Sequence, residues 1–180
     1  ADLARIDFLS TYLQRAVRFE ENALDLLSQA LKKGVLEDIT QLFHKSPALH
    51  FIPLDIEKAE LSAPVTEVID HYITILLQQN KPPELLKSME KWRVLSPLRE
   101  GVFGVDALNQ YIMKKIALIA PSYNMMPIIV TSNDYVNRLY NGMQGVQQKG
   151  GEKKHFYFPD LGGEGLLQDA PAAFLPSFCL

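Results

Sequence analysis

From Val94 to Asn109 the chain reads Val-Leu-Ser-Pro-Leu-Arg-Glu-Gly-Val-Phe-Gly-Val-Asp-Ala-Leu-Asn, the order of a short strand, a loop and a helix. An apolar run halted by Ser96-Pro97 predicts a short strand, and a loop with one arginine and two glycines follows it. Val105 then opens a helix that runs to about Ile116. A strand that passes through a loop into a helix belongs to an α/β layer arrangement, where ligands bind outside the carboxyl ends of the strands. Gly101 and Gly104 let the backbone bend close to a partner, the helix N-terminus offers free N–H groups, and Arg99 adds a cation. Together they form a candidate seat for a phosphate, such as one of DNA. The same pattern also fits a solvent-exposed loop carrying a surface arginine.

Helical spacing dominates the chain before this segment. Ala23, Leu24, Leu27, Ala30 and Leu31 predict a helix capped at or beside Asn22, with Lys32 and Lys33 in its last turn and Gly34 as the C′ residue. Val35, Leu36, Ile39, Leu42 and Phe43 predict a second helix ending before Ser46-Pro47. Leu49 to Leu54 is a short apolar run, expected as a strand. The clearest amphipathic stripe is Val65, Val68, Ile69, Tyr72, Ile73, Leu76 and Leu77, in a helix expected to be capped by Ser62, with Pro64 in its first turn. Pro82-Pro83 starts a shorter helix to about Trp92. Beyond residue 126 the character changes. Pro127 to Ser132 is a β-branched run, Asn141-Gly142 and Gly150-Gly151 are turn signals, and His155 to Phe158 is an aromatic-rich strand. The expected fold class is α/β, with an α/β part over residues 1–126 and a small β-rich part over 127–180.

Net charge is −3, so the whole chain is no electrostatic magnet for nucleic acid, and any such contact must be local. A single cysteine, Cys179, excludes an internal disulfide and fits a reducing, cytoplasmic setting. No apolar run reaches the roughly 18 residues that a membrane span needs. His44, His50, His71 and His155 lack metal-ligand spacing, and no metal site is expected. No GxxxxGK[ST] phosphate loop occurs, so the chain lacks the usual device for cradling nucleotide phosphates. Arg18, between apolar residues, can reach across a cleft to stabilise charge on a transferring phosphoryl group, or can pair with Glu20 or Glu21. Asn133, Asp134 and Asn141 flank a turn region in which Tyr135 and Tyr140 can offer faces to stacked bases or serve as ordinary strand tyrosines.

Three separated segments resemble, in the same order, the RecD-type superfamily 1 DNA helicases, the alpha subunit of exodeoxyribonuclease V. Arg18-Phe19 with Leu24, Leu27, Ala30 and Gly34 is similar to the arginine motif and following helix of the second motor domain. Leu98-Arg99-Glu100-Gly101, Gly104-Val105 and Leu108-Asn109 look like the strand, loop and helix that come next. Pro127 to Thr131, Asn133-Asp134 and Leu139-Tyr140-Asn141-Gly142 resemble the run entering a small inserted β-barrel. The resemblance implies part of a RecA-like second motor domain over 1–126 and an SH3-like β insert with a return strand over 127–180. It implies an ATP-dependent 5′ to 3′ helicase acting on single-stranded DNA beside a nuclease–helicase subunit and a third subunit. ATP and Mg would belong to the parent protein, and none is expected for this stretch alone, which is expected to be inactive by itself. Arg18 becomes the catalytic candidate, and Arg99, Gly101, Gly104, Asn133 and Asn141 the DNA-binding candidates. A non-enzymatic protein-interaction module is the alternative. The apolar sequence up to Leu180 reads as a cut within a longer protein.

Overall fold

A computed structural model describes residues 23–47, 49–53, 60–150, 153–161, 165–167 and 170–180. The chain divides into two compact units, Ala1–Pro53 and Leu54–Leu180.

In the first unit, α1 (Ala23–Lys33) and α2 (Leu36–Lys45) form a helical pair. Gly34 ends α1 in the left-handed region at φ +70°, and its N–H reaches back to the Ala30 carbonyl at 3.0 Å. The strand expected over Leu49 to Leu54 is absent from the described residues 49–53. No neighbouring strand offers that segment a ladder there, and Phe51 instead meets Phe43 with ring centroids 5.5 Å apart.

The second unit begins with α3 (Ala63–Leu77), α4 (Pro82–Lys91) and α5 (Val105–Ile119). Pro64 sits in the first turn of α3, where its missing N–H costs nothing. Ser62 occupies the N-cap position, but its hydroxyl is buried without a partner; the Ser62 carbonyl receives the Val65 and Thr66 N–H groups instead. Ile69, Tyr72, Ile73 and Leu76 bury the inner face of α3, while Val68, at the margin of the expected stripe, is exposed. Lys115 ties α5 to α3 through Asp70 at 3.0 Å.

Among the described residues, five strands follow: β1 (Met125–Val130), β2 (Gln144–Gly150), β3 (Lys153–Tyr157), β4 (Leu166–Leu167) and β5 (Phe174–Pro176). They form one sheet in the order β4-β3-β2-β1-β5 with antiparallel pairing throughout. Ile128 lies opposite Gly145 on one side and Pro176 on the other, so β1 is an interior strand between β2 and β5. Helices and antiparallel sheet make a mixed α/β chain, as composition and periodicity predict.

Among the described residues, two apolar clusters hold the second unit together. The larger joins Ile73, Leu76, Leu85 and Ile112 of the helices to Met125, Val146, Phe178 and Cys179 of the β-rich part. The smaller comprises Ile128, Val130, Leu139, Phe156 and Phe158, with Met126 packed against both. Each fully buried aliphatic side chain contributes about 1.5–3 kcal/mol. Helical layer and sheet therefore share a core across residue 126.

Candidate nucleic-acid interface

The expected strand at Val94 is reduced to a short extended piece. Val94 forms a parallel bridge with Cys179, the Leu180 N–H donates to the Val94 carbonyl at 3.1 Å, and the Ser96 N–H donates to the Leu180 carbonyl at 2.8 Å. Ser96 then closes the loop that follows. Its hydroxyl donates to the Phe103 carbonyl at 2.6 Å and accepts the Leu98 N–H at 3.1 Å. Gly101 adopts φ +86°, and the Gly104 N–H turns back to the Gly101 carbonyl at 3.0 Å. A Cβ on Gly104 would lie 2.5 Å from both the Arg99 and Glu100 carbonyl oxygens, so only glycine lets the helix start this close to the loop.

That closeness changes the device expected from the sequence. The Val105 N–H is taken by the Leu98 carbonyl at 2.9 Å and the Asp106 N–H by the Arg99 carbonyl at 3.2 Å. Two first-turn donors of α5 are thus spent inside the loop rather than presented to a ligand. The cation remains outside. The Arg99 side chain is 78% exposed and, among the described residues, pairs with the half-exposed Asp106 carboxylate at 3.8 Å. Such a long, solvated pair holds the guanidinium weakly and leaves it able to exchange partners.

A second loop joins β1 to β2 over residues 131–143. Asn141-Gly142 does not form a two-residue hairpin turn between these strands. Instead, the Met143 N–H reaches the Tyr140 carbonyl at 3.0 Å around a Gly142 at φ +91°, and the Gly142 N–H returns to Val130 at 2.8 Å. A positive φ at the third position of such a turn is the type II pattern, which selects glycine. Between the strands, Asp134 and Leu139 exchange backbone hydrogen bonds at 2.8 and 2.9 Å and make a miniature hairpin. The Asp134 carboxylate fastens its tip, accepting the Asn137 side-chain amide at 2.8 Å, the Asn137 N–H at 3.1 Å and the Ala172 N–H at 3.2 Å. These donors, the Asn137 side chain first, hold the Asp134 carboxyl below the ordinary carboxylate range.

Structure brings Asn133 and Asn141 together but gives both a scaffolding task. The Asn133 carboxamide oxygen accepts the Asn141 N–H at 2.9 Å, and its NH2 group donates to the Tyr135 hydroxyl at 3.0 Å. Tyr135 and Tyr140 are exposed, with rings edge to face and centroids 6.3 Å apart. Val136 and Arg138 complete the exposed tip, with Arg138 held at φ +57°. A hairpin tip with two aromatic faces and a cation can stack and neutralise a flexible nucleic-acid strand. No hydrogen bond, ion pair or ring contact among the described residues joins this tip to the Arg99 loop.

Beyond the residues expected from the sequence, Ser96 and Asn109 organise the first loop and the partners of Asp134 organise the second. A serine before a proline-started loop is a signal for local backbone capping, but pairing between Asn109 and a residue 70 positions away leaves no local trace. Arg18 lies outside the described residues. No cluster of three or more histidine, cysteine, aspartate or glutamate side chains suited to a metal occurs among the described residues, and no described helix is long and apolar enough to cross a membrane.

No protein-family model matches the chain. The RecBCD enzyme subunit RecD of Haemophilus influenzae is 28% identical to it over 163 residues, covering 73% of this chain and 25% of that protein. The chain is thus distantly and partly similar to RecD. It spans about a quarter of the length of that relative.

Proposed function

We propose that the chain is part of a RecD-like, ATP-dependent DNA helicase and that it supplies a portion of the single-stranded DNA track. The likeness to RecD carries this reading. In it, residues 1–126 belong to a RecA-like second motor domain, and residues 127–180 form an SH3-like insert with its return strand. Arg99 contacts a DNA phosphate, with Gly101 and Gly104 shaping the loop that presents it. Asn133 and Asn141 hold the tip that carries Tyr135 and Tyr140 toward the bases. The exposed guanidinium, the exposed tyrosine pair and the absence of a strong overall charge all favour local contacts over a broad basic surface.

ATP and Mg would be bound mainly by parts of the parent protein that carry the phosphate loop, and Arg18 would face the nucleotide as a source of transition-state charge stabilisation. The parent would act in the cytoplasm in recombinational repair of double-strand breaks, beside a nuclease–helicase subunit and a third subunit of an exodeoxyribonuclease V complex. Fluorescence anisotropy of a labelled oligodeoxythymidylate with the full chain tests the DNA-track assignment. Saturable, salt-sensitive binding is the expected result; absence of binding at low salt would overturn it.

A further inference from the structure

The two stems of the Arg99 loop grip adjacent residues of one extended segment, Leu180 and Cys179. On the entering side, the Ser96 N–H donates to the Leu180 carbonyl, and the Leu180 N–H returns to Val94. On the leaving side, α5 sends Asn109 to the opposite edge of the extended segment at Cys179. Its NH2 group donates to the Cys179 carbonyl at 3.0 Å, and its carboxamide oxygen accepts the Cys179 N–H at 3.0 Å. Successive residues of an extended chain turn their peptide groups to opposite sides, so Leu180 serves one stem and Cys179 the other. A carboxamide offers a donor and an acceptor in the arrangement of a peptide group, and Asn109 therefore occupies the place of a neighbouring strand.

The arrangement is buried. Asn109 is 5% exposed, Cys179 is 0% exposed, and the Tyr72 hydroxyl donates to the adjoining Phe178 carbonyl at 3.0 Å. Residues 178–180 come directly from the sheet, because Ser177 still donates to Pro127 of β1 at 3.0 Å. The stretch therefore links the sheet to the base of the loop through directional hydrogen bonds in addition to the apolar contacts of Phe178 and Cys179.

We propose that Asn109 is a positioning residue, which clasps the strand at Cys179 and thereby sets the angle at which Arg99 is presented. The role rests on the reading that Arg99 meets DNA. Asn109 touches no ligand itself. Its loss leaves the Cys179 peptide unpaired in an apolar site and frees α5 to shift against Ser96.

The test is a double-mutant cycle for oligodeoxythymidylate binding by the full chain, using Asn109→Leu and Arg99→Ala singly and together. Arg99→Ala is expected to weaken binding about tenfold, the loss of one charge-assisted phosphate contact. Asn109→Leu should weaken it comparably, and the second substitution should then add little. Independent, multiplying effects, or wild-type binding by Asn109→Leu, would overturn the proposal. If Asn109→Leu does not fold, Asn109→Asp, which keeps the acceptor for the Cys179 N–H, decides by the same cycle. Amide exchange provides the readout that separates this claim from DNA binding. Loss of protection at Ser96 and Leu180 in the Asn109 variant supports the clasp even if the wild-type chain binds no DNA, whereas unchanged protection removes it.

Discussion

Replacing Gly104 by alanine should damage the second unit far more than the same change at Gly101. At Gly104 the new Cβ would stand 2.5 Å from the Arg99 and Glu100 carbonyl oxygens, both of them backbone atoms with no rotamer to escape into. Relief requires moving the loop away from α5. That motion weakens the hydrogen bonds from Asp106 to Arg99 and from Gly104 to Gly101. Two such bonds at about 1 kcal/mol each, plus strain of similar size, give a loss of about 3 kcal/mol. Gly101 has a positive φ of +86° but nothing within 4 Å of an added Cβ, so only the left-handed backbone penalty remains. That penalty is about 1–2 kcal/mol. Urea unfolding followed by the single tryptophan, Trp92, reports on the unit that contains both glycines. The two variants should shift the midpoint in that order with the slope unchanged. Equal shifts, or a harmless Gly104→Ala, would refute the close-approach argument.

Burial raises the Tyr72 phenol from an ordinary 10.0 to about 12, opposed in part by the nearby Arg93 guanidinium. The folded state favours the neutral phenol, so its contribution is complete below pH 10 and is lost as pH rises from 10 toward 12. Across that window the loss is roughly 2–3 kcal/mol, and Tyr72→Phe should remove this part of the alkaline slope; an unchanged slope would contradict the assignment. Asp134 behaves in the opposite sense. With its folded value depressed, its contribution is present above the ordinary 3.8 and fades as pH falls through the lower folded value. The Asn137 amide resonance should therefore titrate with a midpoint below 3.8, and a midpoint at or above it would show that the carboxylate does not fasten the hairpin tip.

Local signals were legible wherever local physics decided the outcome. Gly34 ends α1 in the left-handed conformation its position suggests, Pro64 and Pro82-Pro83 mark helix starts, and the period of Ile69, Tyr72, Ile73 and Leu76 identifies a buried face. The loop glycines were recognised for their freedom, but their consequence was not. By letting α5 approach so closely, Gly104 allows the loop carbonyls to consume the helix N–H groups that the sequence suggested were available. Long-range pairing decided the remainder. Leu49 to Leu54 has strand-like composition, but no ladder forms over the described residues 49–53, whereas polar Gln144 to Gly150 is a strand because β1 and β3 flank it. Asn141-Gly142 carries a hairpin signature yet closes a longer loop, since the Asp134 and Leu139 pair forms the inner hairpin. Asn109 looks like an ordinary polar helix residue until Cys179 is placed beside it.

In the proposed DNA track, Arg99 presents its charge to a phosphate of the single strand. The most direct measurement is the salt dependence of oligodeoxythymidylate binding by the full chain and by Arg99→Ala. Removing one phosphate contact should lower the slope of log affinity against log salt by about 0.7, with weaker binding at every salt concentration. An Arg99→Ala chain with the affinity and slope of the wild type would show that the loop does not meet the DNA backbone, and would contradict the account.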